Sequence, residues 1–185
     1  MQGVDCDCVM VNNREASFNA TELLINKGYK RIGCISGPID RTTGIERLQG
    51  FTDALRKNGF TVDDNLIIFG DFSLESGRKK MEELIESSDI DSVFVANNDM
   101  ATGAYQLIKE KNLKIPEYIG FIMFDDPIWA TLVTPKINAI SQPVYTLGST
   151  AADLLFRRIL EGRKYIDQKP VKVILEVDFI IRESA

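Results

Sequence analysis

Residues 93–126 read VFVANNDMATGAYQLIKEKNLKIPEYIGFIMFDD, and this stretch decides the architecture. Val93 to Ala96 is a short apolar run that stops at Asn97-Asn98-Asp99, as a strand does at polar turn residues. Met100, Ala101, Ala104, Leu107 and Ile108 then recur at helical spacing. Pro116 forbids continuation of that helix, and Ile119 to Phe124 is a run with no polar side chain. A strand apolar on both faces belongs in the middle of a sheet covered on both sides. Strand, helix and buried strand in this order predict a parallel pair joined by a crossover helix.

The same unit repeats outward from there. Upstream, Leu66 to Phe69 is a strand whose following helix carries Gly77, Met81, Leu84 and Ile85 on one face. Before it, the strand Arg31 to Ile35 breaks at Ser36-Gly37-Pro38, and the next helix is predicted to bury Ile45, Leu48, Phe51 and Leu55 and to end at Gly59. Cys8 to Asn12 is a first strand, followed by a helix with Ala16, Ala20, Leu23 and Leu24 inward and Gly28 as its terminating glycine. Downstream come a strand around Ile137 to Ser141 and a helix with Leu147, Ala151, Leu154 and Leu155 inward, ending near Gly162. A long final strand is predicted over Val171 to Ile181. The alternation predicts an α/β fold of three layers around a doubly wound, largely parallel sheet.

Composition narrows the function classes. The 185 residues are 44% hydrophobic and 26% charged, the balance of a soluble globular protein. With 27 acidic and 22 basic residues the net charge is −5, so no basic face is offered to nucleic acid. There is no histidine, which removes Ser-His-Asp and Cys-His catalysis, His-based zinc sites and His pH switches. No apolar run approaches the ~20 residues that span a bilayer, so no membrane partner is expected. The opening Met-Gln-Gly-Val-Asp-Cys-Asp has neither a basic nor an apolar signal region, so no secretory leader is expected. The odd set Cys6, Cys8 and Cys34 fits a reducing cytoplasm and reads as apolar filler, with no metal and no cofactor. Phosphate-cradling glycine motifs are absent after every predicted strand.

Ligands of open α/β sheets sit beyond the carboxyl ends of the strands. Those ends carry Arg41-Thr42-Thr43-Gly44-Ile45-Glu46-Arg47, then Gly70-Asp71-Phe72, Asn97-Asn98-Asp99 and Asp125-Asp126. Guanidinium forks, an aromatic plate, amides and carboxylates suit a small polar ligand that is stacked and hydrogen-bonded at its edges. Each also has a plainer role. Arg41 reads as a solvated loop residue, Arg47 as a partner of Glu46 or an Asp, Phe72 as a cap on the core, and Asn97 as a helix N-cap. Asp125-Asp126-Pro127 has turn composition. The acid pair resembles that of phospho-receiver domains, which carry the acceptor aspartate two strands later and a lysine after that; here only one strand follows closely, and it ends in Ser141-Gln142-Pro143.

Gly28 to Pro38, then Arg47-Leu48-Gln49-Gly50-Phe51 with Ala54-Leu55, resemble the G-H-x-x-I-x-x-I-x-G-P and R-x-x-G-F…A-L motifs of the lactose/galactose-repressor family of transcriptional regulators, and the resemblance runs over nearly the whole chain. Asn97 to Gly103 is similar to N-D-x-x-A-x-G, Phe124-Asp125-Asp126 to G-F-D-D, Ile137 to Pro143 to L-T-T-I-x-Q-P, and Ile181-Arg182-Glu183-Ser184 to the closing R-x-S. Tyr29, Asn98, Tyr118 and Met123 depart from the usual histidine, aspartate, acid and glycine.

The resemblance implies a periplasmic-binding-protein-like fold and the sensing of a small-molecule effector, a sugar or a purine-like compound, rather than catalysis. Carried over residue by residue, Arg47 and Asp125 match the most typical effector contacts, Asn97 a third polar contact and Phe72 the stacking aromatic. Arg41 and Thr43 match contacts of purine-sensing members, and Glu15 an acidic contact of some sugar-responsive ones. It further implies a cytoplasmic homodimer that meets operator DNA only through an N-terminal helix-turn-helix not found in this chain, and hence a truncated regulator. By the same resemblance, residues 30–135 and 163–185 form the C-terminal lobe, and 8–28 and 136–162 are remnants of the N-terminal lobe. The alternative is a periplasmic sugar-binding protein of a transport system, which shares the fold.

Overall fold

The computed structural model describes residues 6–161 and 169–185. Its elements are β1 (Cys8–Val11), α1 (Asn13–Asn26), β2 (Ile32–Ser36), α2 (Thr42–Lys57), β3 (Ile67–Phe69), α3 (Leu74–Ser87), β4 (Ser92–Val95), α4 (Asn98–Glu110), β5 (Gly120–Phe124), β6 (Asn138–Ser141), α5 (Val144–Glu161), β7 (Lys172–Leu175) and β8 (Asp178–Ile180). Two compact units result. The smaller is made of described residues from Met1–Asn12 and Gln142–Asp178, the larger of Asn13–Ser141 and Phe179–Ala185.

The larger unit holds a six-stranded sheet of order β3-β2-β4-β5-β6-β8. Pairing is parallel from β3 through β6. The chain steps from β2 out to β3, then crosses back to β4 on the other side of β2. Right-handed crossovers therefore put α2 on one face of the sheet and α3 and α4 on the opposite one. α1 packs along α2, and α3 along α4. Both pairs approach backbone to backbone at a glycine, because a Cβ on Gly50 would overlap the Arg14 carbonyl and one on Gly103 the Leu74 carbonyl. β2, β4 and β5 are buried at every position, as central strands covered on both faces must be. Phe51, Phe94, Phe121 and Phe124 are fully buried among them, with Phe51 stacked on Phe94 at 6.3 Å between centroids.

The smaller unit is a two-stranded parallel ribbon of β1 and β7 with α5 against β1. A bidentate pair ties it together: the Arg158 guanidinium donates to both Asp7 oxygens, at 2.7 and 2.5 Å, and the Val171 N–H donates to the same carboxylate. These bonds hold the Asp7 carboxyl down to about 2, the Arg158 hydrogen bond contributing most.

Several expectations need correction. α1 and β6 lie in the larger unit, where α1 buries Ala16, Ala20 and Leu24 as it packs on α2 and β6 pairs with β5. The predicted final strand is two strands in two sheets: β7 pairs with β1, and β8 lies at the edge of the larger sheet. Apolar alternation cannot reveal the change of partner at Glu176-Val177. In α2 the buried residues are Arg47, Phe51, Thr52, Ala54 and Leu55 with Gly44 and Gly50, while Ile45 and Leu48 are half-buried. The stripe is turned because glycine carries the close face. Among the described side chains of α5 only Leu154 is buried, while Ala151 and Leu155 are exposed, since a two-stranded ribbon offers one helix too little surface. Gly162 lies outside the described residues. Cys34 is buried filler with its thiol pushed up by desolvation, but Cys6 is exposed and Cys8 half-buried. Among the described residues no helix is long and apolar enough to cross a membrane, and no group of three His, Cys, Asp or Glu is placed to hold a metal.

Candidate functional site

The strand order reverses between β2 and β4, and Arg47 lies there. It is only 5% exposed. Its Nε donates to Asn13 Oδ1 at 2.9 Å and its Nη1 to the carbonyl of Ala96, just past β4, at 2.6 Å. The guanidinium carbon stands 3.5 Å from the centroid of the Phe124 ring at the end of β5. Asn13 is itself buried and donates from Nδ2 to Glu46 Oε2 at 2.9 Å. The first residue of α1, two neighbours on α2 and the ends of β4 and β5 thus form one polar knot. Desolvation lowers the Arg47 pKa to about 10, against the opposing pull of the Asp125 and Glu46 carboxylates, so the side chain is charged at neutral pH. A guanidinium held by two hydrogen bonds and a ring face is a preorganised planar donor.

Asp125 follows β5 with φ 76°, in the left-handed region. Its Oδ2 accepts from the Asn98 backbone N–H at 3.2 Å, at the N-terminus of α4 where the helix dipole favours a carboxylate. Asp126, next to it, forms a bidentate pair with Arg182 at 2.7 Å for each oxygen, and Arg182 Nη1 also donates to the Ile137 carbonyl at 2.6 Å. The Arg182 N–H donates to Asn138 Oδ1, and Ser184 Oγ donates to the Phe121 carbonyl at 2.6 Å. The Arg-Glu-Ser ending is therefore a clasp on β5 and β6.

Phe72 has φ 71°, and its ring lies so close to Gly37, just past β2, that a Cβ there would overlap it. Asn97 caps α4, its Oδ1 accepting from the Met100 N–H at 3.0 Å, and its Nδ2 reaches the Phe72 carbonyl at 3.5 Å.

The structure brings Arg47 and Asp125 within electrostatic reach, and it links Phe72 and Asp125 to the adjacent residues Asn97 and Asn98. The remaining candidates are exposed at helix starts. Arg41 is exposed at the N-cap of α2, 3.8 Å from Asp40, and Thr43 is exposed on the first turn. Glu15 is exposed on the first turn of α1. Sequence reasoning missed Asn13, whose position at a helix start reads as an ordinary cap, and Phe124, which reads as core. It also missed Trp129, whose Nε1–H donates to Asn98 Oδ1 at 3.2 Å. Nothing in the local pattern around Trp129 announces that contact.

The fold is that of an α/β domain of the periplasmic-binding-protein type. The model of the periplasmic binding protein-like domain family matches residues 21–185. The HTH-type transcriptional regulator CelR of Thermobifida fusca is 34% identical over 177 residues, which cover 95% of this chain and 51% of that protein. The ribose operon repressor of Escherichia coli (strain K12) is 35% identical over 158 residues, 85% of this chain and 48% of that protein. Among solved structures, the CelR–cellobiose complex superposes with a TM-score of 0.91 at 33% identity, covering 100% of this chain and 56% of that one.

The chain belongs to the periplasmic binding protein-like domain family, in the form carried by LacI-family transcription regulators. It spans about half the length of the curated relatives it matches. Those relatives are regulators, neither enzymes nor transport proteins, so the transport alternative is set aside.

Proposed function

We propose that this chain is the effector-sensing portion of a cytoplasmic transcription regulator, and that Arg47, Asp125, Phe72 and Asn97 hold a sugar or a nucleoside-like effector. Arg41, Thr43 and Glu15 stand at the rim of the site in this reading. The observation that carries it is the setting of Arg47: a buried guanidinium, fixed against Phe124 and Asn13, with the Asp125 carboxylate in electrostatic reach. Burying a charge is costly, and the planar donor it presents is what hydroxyls and ring polar atoms require. Arg47 donates to ligand oxygens, Asp125 accepts from hydroxyl or N–H groups, and Phe72 covers an apolar ring face.

The effector alters DNA binding only if it prefers one arrangement of the parent protein over another. DNA contact belongs, in this reading, to a helix-turn-helix elsewhere in the parent regulator, acting as a homodimer. The relatives' names make cellobiose and ribose the first compounds to try. Calorimetry against a panel of sugars and nucleobases tests the site with Arg47→Ala and Asp125→Ala. Losing a charged contact costs about 1.5–3 kcal/mol, so each variant weakens binding about tenfold or more. A ligand held equally by wild type and both variants overturns the assignment.

A further inference from the structure

Phe72 and Asp125, both in the candidate site, have left-handed backbone at φ 71° and 76°. That conformation is unfavourable for a bulky aromatic and is adopted by Asp only with local support. The support comes from two consecutive residues. Asn97 reaches the Phe72 carbonyl, and the Asn98 N–H reaches the Asp125 carboxylate. Where the Asp125 carboxylate points therefore depends on where Asn98 is held.

The Asn98 side chain is in turn fixed from another element. Its Oδ1 accepts the indole N–H of Trp129, which lies in the 3-10 turn Ile128–Thr131, and its Nδ2 donates to Asp99 Oδ1 at 3.1 Å. The Trp129 ring is braced by Tyr105 at 5.4 Å between centroids, and Tyr105 meets the buried Phe121 of β5 edge-on at 6.4 Å. A continuous path of contacts thus runs from the centre of the sheet through Tyr105, Trp129 and Asn98 to Asp125.

We propose that Trp129 is a positioning residue of the effector site: its indole N–H fixes Asn98, and through Asn98 the Asp125 carboxylate. This rests on the effector-site reading above. Trp129 is half-buried, so its single polar atom had solvent as an alternative partner, yet it is spent on the residue that holds Asp125. The amide at position 98 accepts this bond without adding a further negative charge to those of Asp99, Asp125 and Asp126, as a carboxylate there would.

The test uses the one tryptophan of the chain, which gives a single indole N–H resonance in ¹⁵N-labelled protein. Asn98→Ala moves that resonance because it removes the acceptor. Asp125→Asn, which touches Asn98 and not the indole, moves it as well if the three groups act as a unit. An indole signal that answers to Asn98→Ala but not to Asp125→Asn overturns the relay, and one that answers to neither overturns the hydrogen bond itself. Trp129→Phe keeps the ring and removes the donor. With cellobiose and D-ribose as calorimetric probes, it weakens binding about three- to tenfold, with urea unfolding unchanged as the check on folding. If a probe binds, needs Arg47 and is held equally by Trp129→Phe, the positioning role falls while the effector site stands. If neither sugar binds, the choice of sugar effectors falls, and the indole measurement still decides the relay.

Discussion

The two units of the chain spend similar apolar sequence to opposite effect. In the larger unit β2, β4 and β5 are buried throughout, between helices on both faces. In the smaller unit Val11 and Leu154 alone are buried among the described residues, while Tyr145 is 86% and Leu160 81% exposed on α5. Periodicity places apolar residues on one side of an element, but only a neighbouring layer makes them a core. A two-stranded ribbon is below the size at which a sheet sustains such a layer.

The contrast is sharpest in matched truncations. Phe94→Ala removes a fully buried ring stacked on Phe51 and should cost about 3–5 kcal/mol. Phe156→Ala removes an exposed ring of α5 and should change stability by less than about 0.5 kcal/mol. Urea unfolding followed by fluorescence or circular dichroism reads both, and comparable losses would abolish the distinction between the units.

Glycine substitutions sharpen it further, with opposite signs. Gly50→Ala drives a methyl into the Arg14 backbone and should destabilise by about 2–3 kcal/mol, measured in the same assay. Gly148→Ala in α5 meets nothing within 4 Å, so it should stabilise by about 0.5–1 kcal/mol. A destabilised Gly148→Ala would mean that this helix is covered after all.

The smallest effect concerns acid. The Asp7 carboxyl falls from its ordinary 3.8 to about 2 on folding. A depressed folded-state value stabilises the protein above the unfolded pKa, and that contribution is lost as pH falls from about 4 to about 2. Methyl NMR signals from β1 and β7 should therefore lose dispersion in this window before those of the six-stranded sheet. Simultaneous loss in both units would show that the Asp7–Arg158 pair contributes nothing particular to the ribbon.

Much of the fold was legible because it rests on local rules. The stripe Met100, Ala101, Ala104, Leu107 and Ile108 is the buried face of α4, and β5 lies inside the sheet as its unbroken apolar run required. Gly28 and Gly59 have the positive φ that a helix-terminating glycine needs, 98° and 76°. Of the candidate site, the polar residues at strand ends could be read off one at a time. Their grouping could not. Arg47 reads equally well as the structural ion-pair partner of Glu46 or an Asp, and its packing against Phe124 and Asn13 depends on residues distant in sequence. Trp129 was silent for the same reason, since its partner Asn98 lies on another element.

By itself, then, the sequence determined which segments are strands and helices, which strand is central, and which polar residues stand at strand ends. Those follow from side-chain periodicity, turn chemistry and the requirement that backbone groups be paired, all of which act within a few residues. Tertiary structure alone decided that Val171 to Ile181 divides between two sheets, that α1 joins α2 across Gly50, and that Arg47 is buried with its charge. Each of these depends on what packs against a residue from elsewhere in the chain, and that is set by the closeness of backbones and the desolvation of charges when the layers meet.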